Sequence, residues 1–258
     1  MNSRGFAWRS LYRDLKAGEL TILLFALIVA VTSMTAVGFF TDRVSRAVEA
    51  QAAETLAADL VIRSPARLDE RYLQKGAEAG LQTAETYGFP TVAIFGEEGR
   101  SLSVVNAVSS AYPLRGKVLV SDQLFGESYV PDGIPERATV WAEPGLMARL
   151  GVEVGDTIKL GAAEFLLTRV LDFRPDQNMG FTSLAPSVLV HIDDVPGMDV
   201  IRTGSRVTYR QLFAGEQGAI EKFKASISAE LSPDERLNTI DDASEQITAA
   251  VGLSLIHI

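Results

Sequence analysis

The chain contains no cysteine and only two histidines, His191 and His257, among its 258 residues. Without thiols it can hold no disulfide framework, no thiolate zinc site and no thiol nucleophile, although this says little about compartment. Phosphate-loop chemistry is missing as well. Gly116-Lys117 has Ala111 where the first glycine of G-x-x-x-x-G-K-[ST] belongs and Val118 in place of the hydroxyl, so no ATP hydrolysis is expected. Neither a G-x-S-x-G elbow nor an H-E-x-x-H helix occurs. Proline is absent from Met1 to Ser64, and after Gly18 the only glycine in that stretch is Gly38. Basic charge is in deficit, 24 Lys and Arg against 33 Asp and Glu, for a net charge of −9. An acidic surface repels nucleic acid and anionic lipid, so neither is expected as a partner.

What is present is one long apolar run. Leu20 to Thr41 reads LTILLFALIVAVTSMTAVGFFT without a charge. As a helix it spans about 33 Å, enough for a bilayer core of about 30 Å. Residues 20–41 are therefore expected to form a transmembrane helix. A cleaved signal peptide is the alternative, but its apolar region is shorter, about 7–15 residues, and no clear small-x-small site precedes the return of charge. Arg4, Arg9, Arg13 and Lys16 precede the run, whereas Arg43 and Arg46 come after it. The positive-inside rule then places the N-terminus in the cytoplasm and the larger part of the chain outside.

Residues 1–19 interleave Phe6, Trp8, Leu11, Tyr12 and Leu15 with those basic side chains, the pattern of an amphipathic segment. Such a segment lies at a membrane interface or contacts a cytoplasmic subunit. Ala26, Ala30, Ser33 and Val37 share one narrow face of the apolar helix, a weak packing signal. Residues 42–58 are alanine-rich, with Val44, Val48, Ala52 and Leu56 on an i, i+4 stripe, and predict a helical stalk continuous with the anchor. A stiff stalk transmits displacement; a mere spacer has the same pattern.

Beyond Ala58 the expected class is α+β, a mixed α/β lobe at 59–111 and 187–240 with a small β-rich lobe inserted at 112–186. Strands are predicted at 59–63, 81–95 (broken near Gly88-Phe89-Pro90), 101–108, 164–173, 187–192 and 205–212. Helices are predicted at 69–79, 143–150 (Pro144 in its first turn, Gly151 after its end) and 216–230. Residues 241–258 begin as a return helix. The final Leu253 to Ile258 reads as an artefactual tail on an incomplete sequence.

Few side chains invite chemistry. His191 sits in a predicted strand and reads as structural. Asp193-Asp194 and Asp241-Asp242 have the look of turn and cap residues rather than cation ligands, and Glu97-Glu98 of a solvated hairpin tip. No catalytic, cofactor-binding or metal-binding residue is assigned, and no enzyme activity is expected.

Several segments in fixed order carry a family likeness. Thr35-Ala36-Val37-Gly38-Phe39-Phe40-Thr41-Asp42-Arg43 closes the apolar run, and Ala58-Asp59-Leu60-Val61 opens the α+β region. Tyr112-Pro113-Leu114-Arg115-Gly116, Leu150-Gly151-Val152-Glu153-Val154-Gly155-Asp156, Ser183-Leu184-Ala185-Pro186 and Gly204-Ser205-Arg206-Val207 lie within it. The chain thereby resembles the N-terminal part of FtsX-like, MacB-like ABC transporter permeases, in particular the YbbP-like branch. The resemblance implies a MacB-like periplasmic domain on an inner-membrane anchor. It implies a separate cytoplasmic ABC ATPase subunit that binds the ATP, and a second permease copy. It further implies that ATP-driven movement is relayed through the stalk to a domain acting on a hydrophobic or lipid-like substrate or a periplasmic partner. Such permeases continue into further membrane helices, so a fragment, inactive alone, is expected. The competing reading is a complete single-pass, membrane-anchored periplasmic binding or sensor protein.

Overall fold

The computed structural model describes residues 19–177, 185–202 and 204–243. The amphipathic segment at 1–18 and most of the return helix expected at 241–258 lie outside them. The chain divides into two compact units, Met1–Val48 and Glu49–Ile258.

The first unit carries most of helix α1 (Glu19–Leu56). Ile22, Phe25, Met34, Phe39 and Phe40 are all exposed. Apolar side chains exposed on every side suit hydrocarbon rather than water, and among the described residues this is the one helix long and apolar enough to cross a membrane. The Thr35 hydroxyl donates to the Val31 carbonyl at 2.7 Å, which satisfies it without water. Where charge resumes, Asp42 and Arg46 pair one turn apart at 3.1 Å.

The second unit is built on one ten-stranded sheet. Its strands are β1 (Leu60–Ser64), β2 (Gln82–Phe95), β3 (Gly99–Val108), β4 (Leu119–Ser121), β5 (Thr139–Ala142), β6 (Thr157–Leu160), β7 (Ala163–Phe173), β8 (Ser187–His191), β9 (Thr208–Ala214) and β10 (Arg236–Thr239). Their order is β10-β1-β9-β2-β3-β8-β5-β7-β4, and β6 pairs with both β7 and β2. Strands β2, β3, β8, β5, β7 and β6 therefore close into a ring, while β10, β1 and β9 form an open wing. Pairs β3–β8 and β5–β7 are parallel and the other pairs antiparallel. The expected class, an apolar N-terminal helix followed by a mixed α/β domain, is what the structure has. Residues 112–186 supply β4 to β7 to this same sheet.

Period-2 alternation fills the ring. Phe89 and Ala93 of β2, Val105 and Ala107 of β3, Ile158 and Leu160 of β6, Phe165 and Leu167 of β7 and Val188 and Val190 of β8 share one buried cluster. Helix α3 (Pro144–Leu150) adds Leu146, Met147 and Leu150, and ends at Gly151 in the left-handed conformation. On the wing, Leu60 and Ile62 face helices α2 (Arg71–Glu78) and α5 (Gln217–Ile227), meeting Tyr72, Phe213, Phe223 and Ile227. Val61 faces the other way, toward Trp141, Leu171 and Leu212. Gly76 of α2 lies against the Phe213 ring, where a Cβ would come within 2.6 Å of it. A short helix α4 (Val195–Met198) comes after β8 through a 3-10 turn at Ile192–Asp194.

The expected break in β2 at Gly88-Phe89-Pro90 is absent; the strand runs unbroken from Gln82 to Phe95. On one edge β2 pairs with β9 as far as Gly88 and with β6 from Ala93. Pro90 falls in the gap between these partners, so the strand has a free edge where the proline has no N–H to give.

The ring is held by its filled interior, and Phe165 is almost wholly buried there. Phe165→Ala is expected to cost about 3–5 kcal/mol, read as a lower urea midpoint at unchanged slope.

Candidate functional site

The end of α1 is tied into the second unit through buried alanines and backbone bonds. The helix stops at Leu56 because Ala57 adopts a left-handed φ of 58°. Ala52, Ala53, Ala57 and Ala58 are buried, small enough to let backbone approach closely. The Ala57 carbonyl accepts the N–H groups of both Leu114 and Arg115, at 3.1 and 3.0 Å.

Two residues on, Asp59 takes the Arg115 guanidinium as a fork. Nε donates to Oδ1 at 2.8 Å and Nη2 to Oδ2 at 2.6 Å, while the Gly215 N–H donates to Oδ2 at 2.9 Å. The Asp59 N–H reaches the Phe213 carbonyl at 3.0 Å. A bidentate, part-buried pair fixes direction as well as distance. Gly116 turns the loop with a φ of 76° where a Cβ would strike Pro175 and Glu54, so only glycine fits.

A second knot lies beyond this loop. Asp176 is buried and accepts from the Tyr112 hydroxyl at 2.5 Å, from Arg174 Nη1 at 2.6 Å and from Arg210 Nη1 at 2.9 Å. Burial alone would raise its pKa, but the Arg174 and Arg210 charges and the hydrogen bonds outweigh that and hold it below the ordinary value. Burial, then the Asp176 charge, pushes the Tyr112 hydroxyl well up. For Arg174 burial works downward and the Asp176 charge reverses it, so its pKa is raised. Arg174 Nε has no partner among the described residues. Nearby, the Glu143 carboxylate gathers the Ser187 N–H at 2.9 Å, the Ser187 hydroxyl at 2.8 Å and the Gln177 amide at 3.0 Å. These bonds position the segments; no substrate-facing acid, base or nucleophile is arranged among them.

The polar residues singled out from the sequence are scattered. His191 Nδ1 accepts the Asp193 N–H at 3.2 Å. Asp194 accepts the Ala138 N–H at 2.9 Å and meets Arg137. Asp242 accepts the N–H and hydroxyl of Thr239, both at 2.9 Å. Glu97 and Glu98 sit in the exposed turn between β2 and β3, and His257 lies outside the described residues. The Asp59–Arg115 and Asp176 clusters were not read from the sequence. The one signal was that Asp59, Tyr112 and Arg115 stand inside two of the segments that carry the family likeness.

No protein-family model matches the chain. It is 27% identical over 248 residues to the uncharacterized ABC transporter permease YbbP of Escherichia coli (strain K12), a match covering 96% of this chain and 29% of that relative. The chain thus spans less than a third of the relative's length. Among solved structures, the periplasmic region of MacB from Actinobacillus actinomycetemcomitans overlaps with a TM-score of 0.48 at 9% identity, covering 76% of this chain and 95% of that one. The extracellular domain of the noncanonic ABC-type transporter YknZ from Gram-positive bacteria gives 0.44 at 10% identity, covering 70% and 100%. These are loose overlaps of chain path, and no functional statement rests on them.

Because the folded Asp176 pKa is depressed, its stabilising contribution is complete above the unfolded value of about 3.9 and is lost as pH falls through the folded one. Asp176→Asn is expected to cost about 3 kcal/mol at neutral pH and to flatten the acid limb of the stability curve, measured by denaturant melts across pH. An equally steep limb in the variant would assign the acid sensitivity elsewhere.

The likeness to YbbP-like permeases read from the sequence extends over nearly the whole chain: this protein is similar to the ABC transporter permease YbbP.

Proposed function

We propose that this chain is a permease-type subunit of an ABC transporter in the inner membrane, with a cytoplasmic N-terminus and a periplasmic α/β domain. A separate ATPase binds ATP and drives the movement. The chain relays it through α1 to a domain that acts on a hydrophobic or lipid-like substrate or a periplasmic partner, in an assembly with a second permease copy. The observation that carries the reading is the attachment at the end of α1. A displacement reaches a domain only through a joint that does not yield. Here the joint combines buried alanines, two backbone bonds to Ala57 and the Asp59–Arg115 fork. The unbroken helix of 38 residues supports it, since an α-helix resists compression and bending far better than a loop. The bias of basic residues toward the N-terminal side of the span supports the orientation.

The absence of cysteine makes orientation directly testable. A Glu97→Cys variant, at the exposed turn after β2, is expected to react with a membrane-impermeant maleimide in spheroplasts. Labelling only after the inner membrane is broken would reverse the topology.

Val48→Pro tests the relay. Proline inside the helix removes a backbone bond and bends the axis at a cost of about 3 kcal/mol or more. In the assembled transporter it is expected to abolish ATP-driven activity and leave the unfolding midpoint of the α/β domain unchanged. Full activity in the variant would sink the relay.

A further inference from the structure

Three arginines stand side by side on the open wing of the sheet. In the register of β1, Arg63 lies directly opposite Arg236 of β10 on one side and Arg210 of β9 on the other. Directly opposed residues on neighbouring strands project from the same face, with Cβ atoms about 4.5–5.5 Å apart. The row is about 10 Å long, two inter-strand steps. Like charges placed directly opposite one another destabilise a sheet, whereas opposite charges stabilise it. A chain with a net charge of −9 has acids to spare, yet places none in this row.

Its surroundings do not neutralise it. Arg210 donates to Asp176 at 2.9 Å, but that carboxylate already holds Arg174 at 2.6 Å. Among the described residues no carboxylate forms a salt bridge with Arg63 or Arg236. Burial, and then the Arg210 and Arg236 charges, push the Arg63 pKa down. Arg63 and Arg236 are both exposed. They line a cleft of about 390 Å³ together with Ser64, Pro65, Thr208, Asn238 and one acid, Asp234.

We propose that the Arg63–Arg236 cleft binds a phosphate group. Guanidinium forks match phosphate oxygens two at a time, and an anion between two of them turns their mutual repulsion into shared attraction. Thr208 and Asn238 supply neutral donors for further oxygens. The same chemistry arrives either as free phosphate or as the headgroup of an anionic phospholipid. The site stands on strand register and charge, and is independent of the transport reading above.

The test uses the full chain in maltoside micelles at low salt, titrated calorimetrically with inorganic phosphate and, separately, with dihexanoylphosphatidylglycerol below its micelle concentration. The comparison is the double variant Arg63→Gln/Arg236→Gln, with Lys222→Gln on α5 as a control surface substitution. Wild type and control are expected to bind saturably, more weakly as salt rises, and the double variant about tenfold more weakly or worse. Phospholipid binding about tenfold tighter than phosphate assigns a lipid headgroup, and equal binding assigns free phosphate. Without ligand, the double variant is expected to unfold at or above the wild-type midpoint, because the repulsion is relieved. Three results overturn the proposal: no saturable binding of either probe up to about 10 mM, undiminished binding by the double variant, or a lowered midpoint that makes the row structural.

Discussion

A carboxylate removed from water must be matched by donors, and the burial of Asp176 organises much of the second unit around that requirement. Its oxygens are taken by Tyr112, Arg174 and Arg210, which come from the loop after β3, the end of β7 and the middle of β9. Each of those segments is thereby fixed relative to the others. An ion cluster of this kind contributes little net stability over a well-packed apolar core, because desolvation consumes most of the attraction. What it does supply is geometry, since removing any one member leaves an unmatched charge in low dielectric. The same loop carries Arg115, which holds Asp59 directly after α1. The two polar clusters are therefore adjacent links of one chain of fixed positions, running from the end of the helix to the wing of the sheet.

The closed ring explains why such fixing is possible. Strand β6 pairs with β2 on one side and β7 on the other, and this converts an open sheet into a ring with a single filled interior. An open sheet can change its twist at modest cost. A ring whose inward side chains are packed to near-crystalline density resists the same deformation. A force applied to such a ring is thus expected to displace it as a body rather than distort it.

Elements with strong local chemistry were legible in the sequence. The apolar run marked α1, Pro144 and Gly151 bounded α3, and the short apolar run Leu60-Val61-Ile62 marked β1. What escaped was long-range pairing. Strand β10 (RLNT) has no run of apolar residues, and it forms because the backbone edge of β1 is available to it. Pro90 read as a break because sequence does not say that β2 changes partner at that point. The polar clusters were hidden for a related reason. Asp59 and Arg115 are 56 positions apart, and Asp176 and Arg210 are 34. Nothing in local composition announces which of 33 acids will be buried against which base.

The arginine row shows the same limit from the other side. Arg63, Arg210 and Arg236 are inconspicuous in sequence, each flanked by ordinary strand residues. Register alone brings them together, and register is set by the apolar side chains on the two faces of β1 and β9, because a one-residue slip would turn Leu60, Ile62 and Phe213 out of their cluster. The core thus dictates that three positive side chains share a face, and a neutral residue in place of Arg63 or Arg236, both exposed, would have relieved the repulsion at no cost to packing. That the fold tolerates an avoidable local conflict, in a chain otherwise rich in acids, is the physical signature of a position kept for binding rather than for stability.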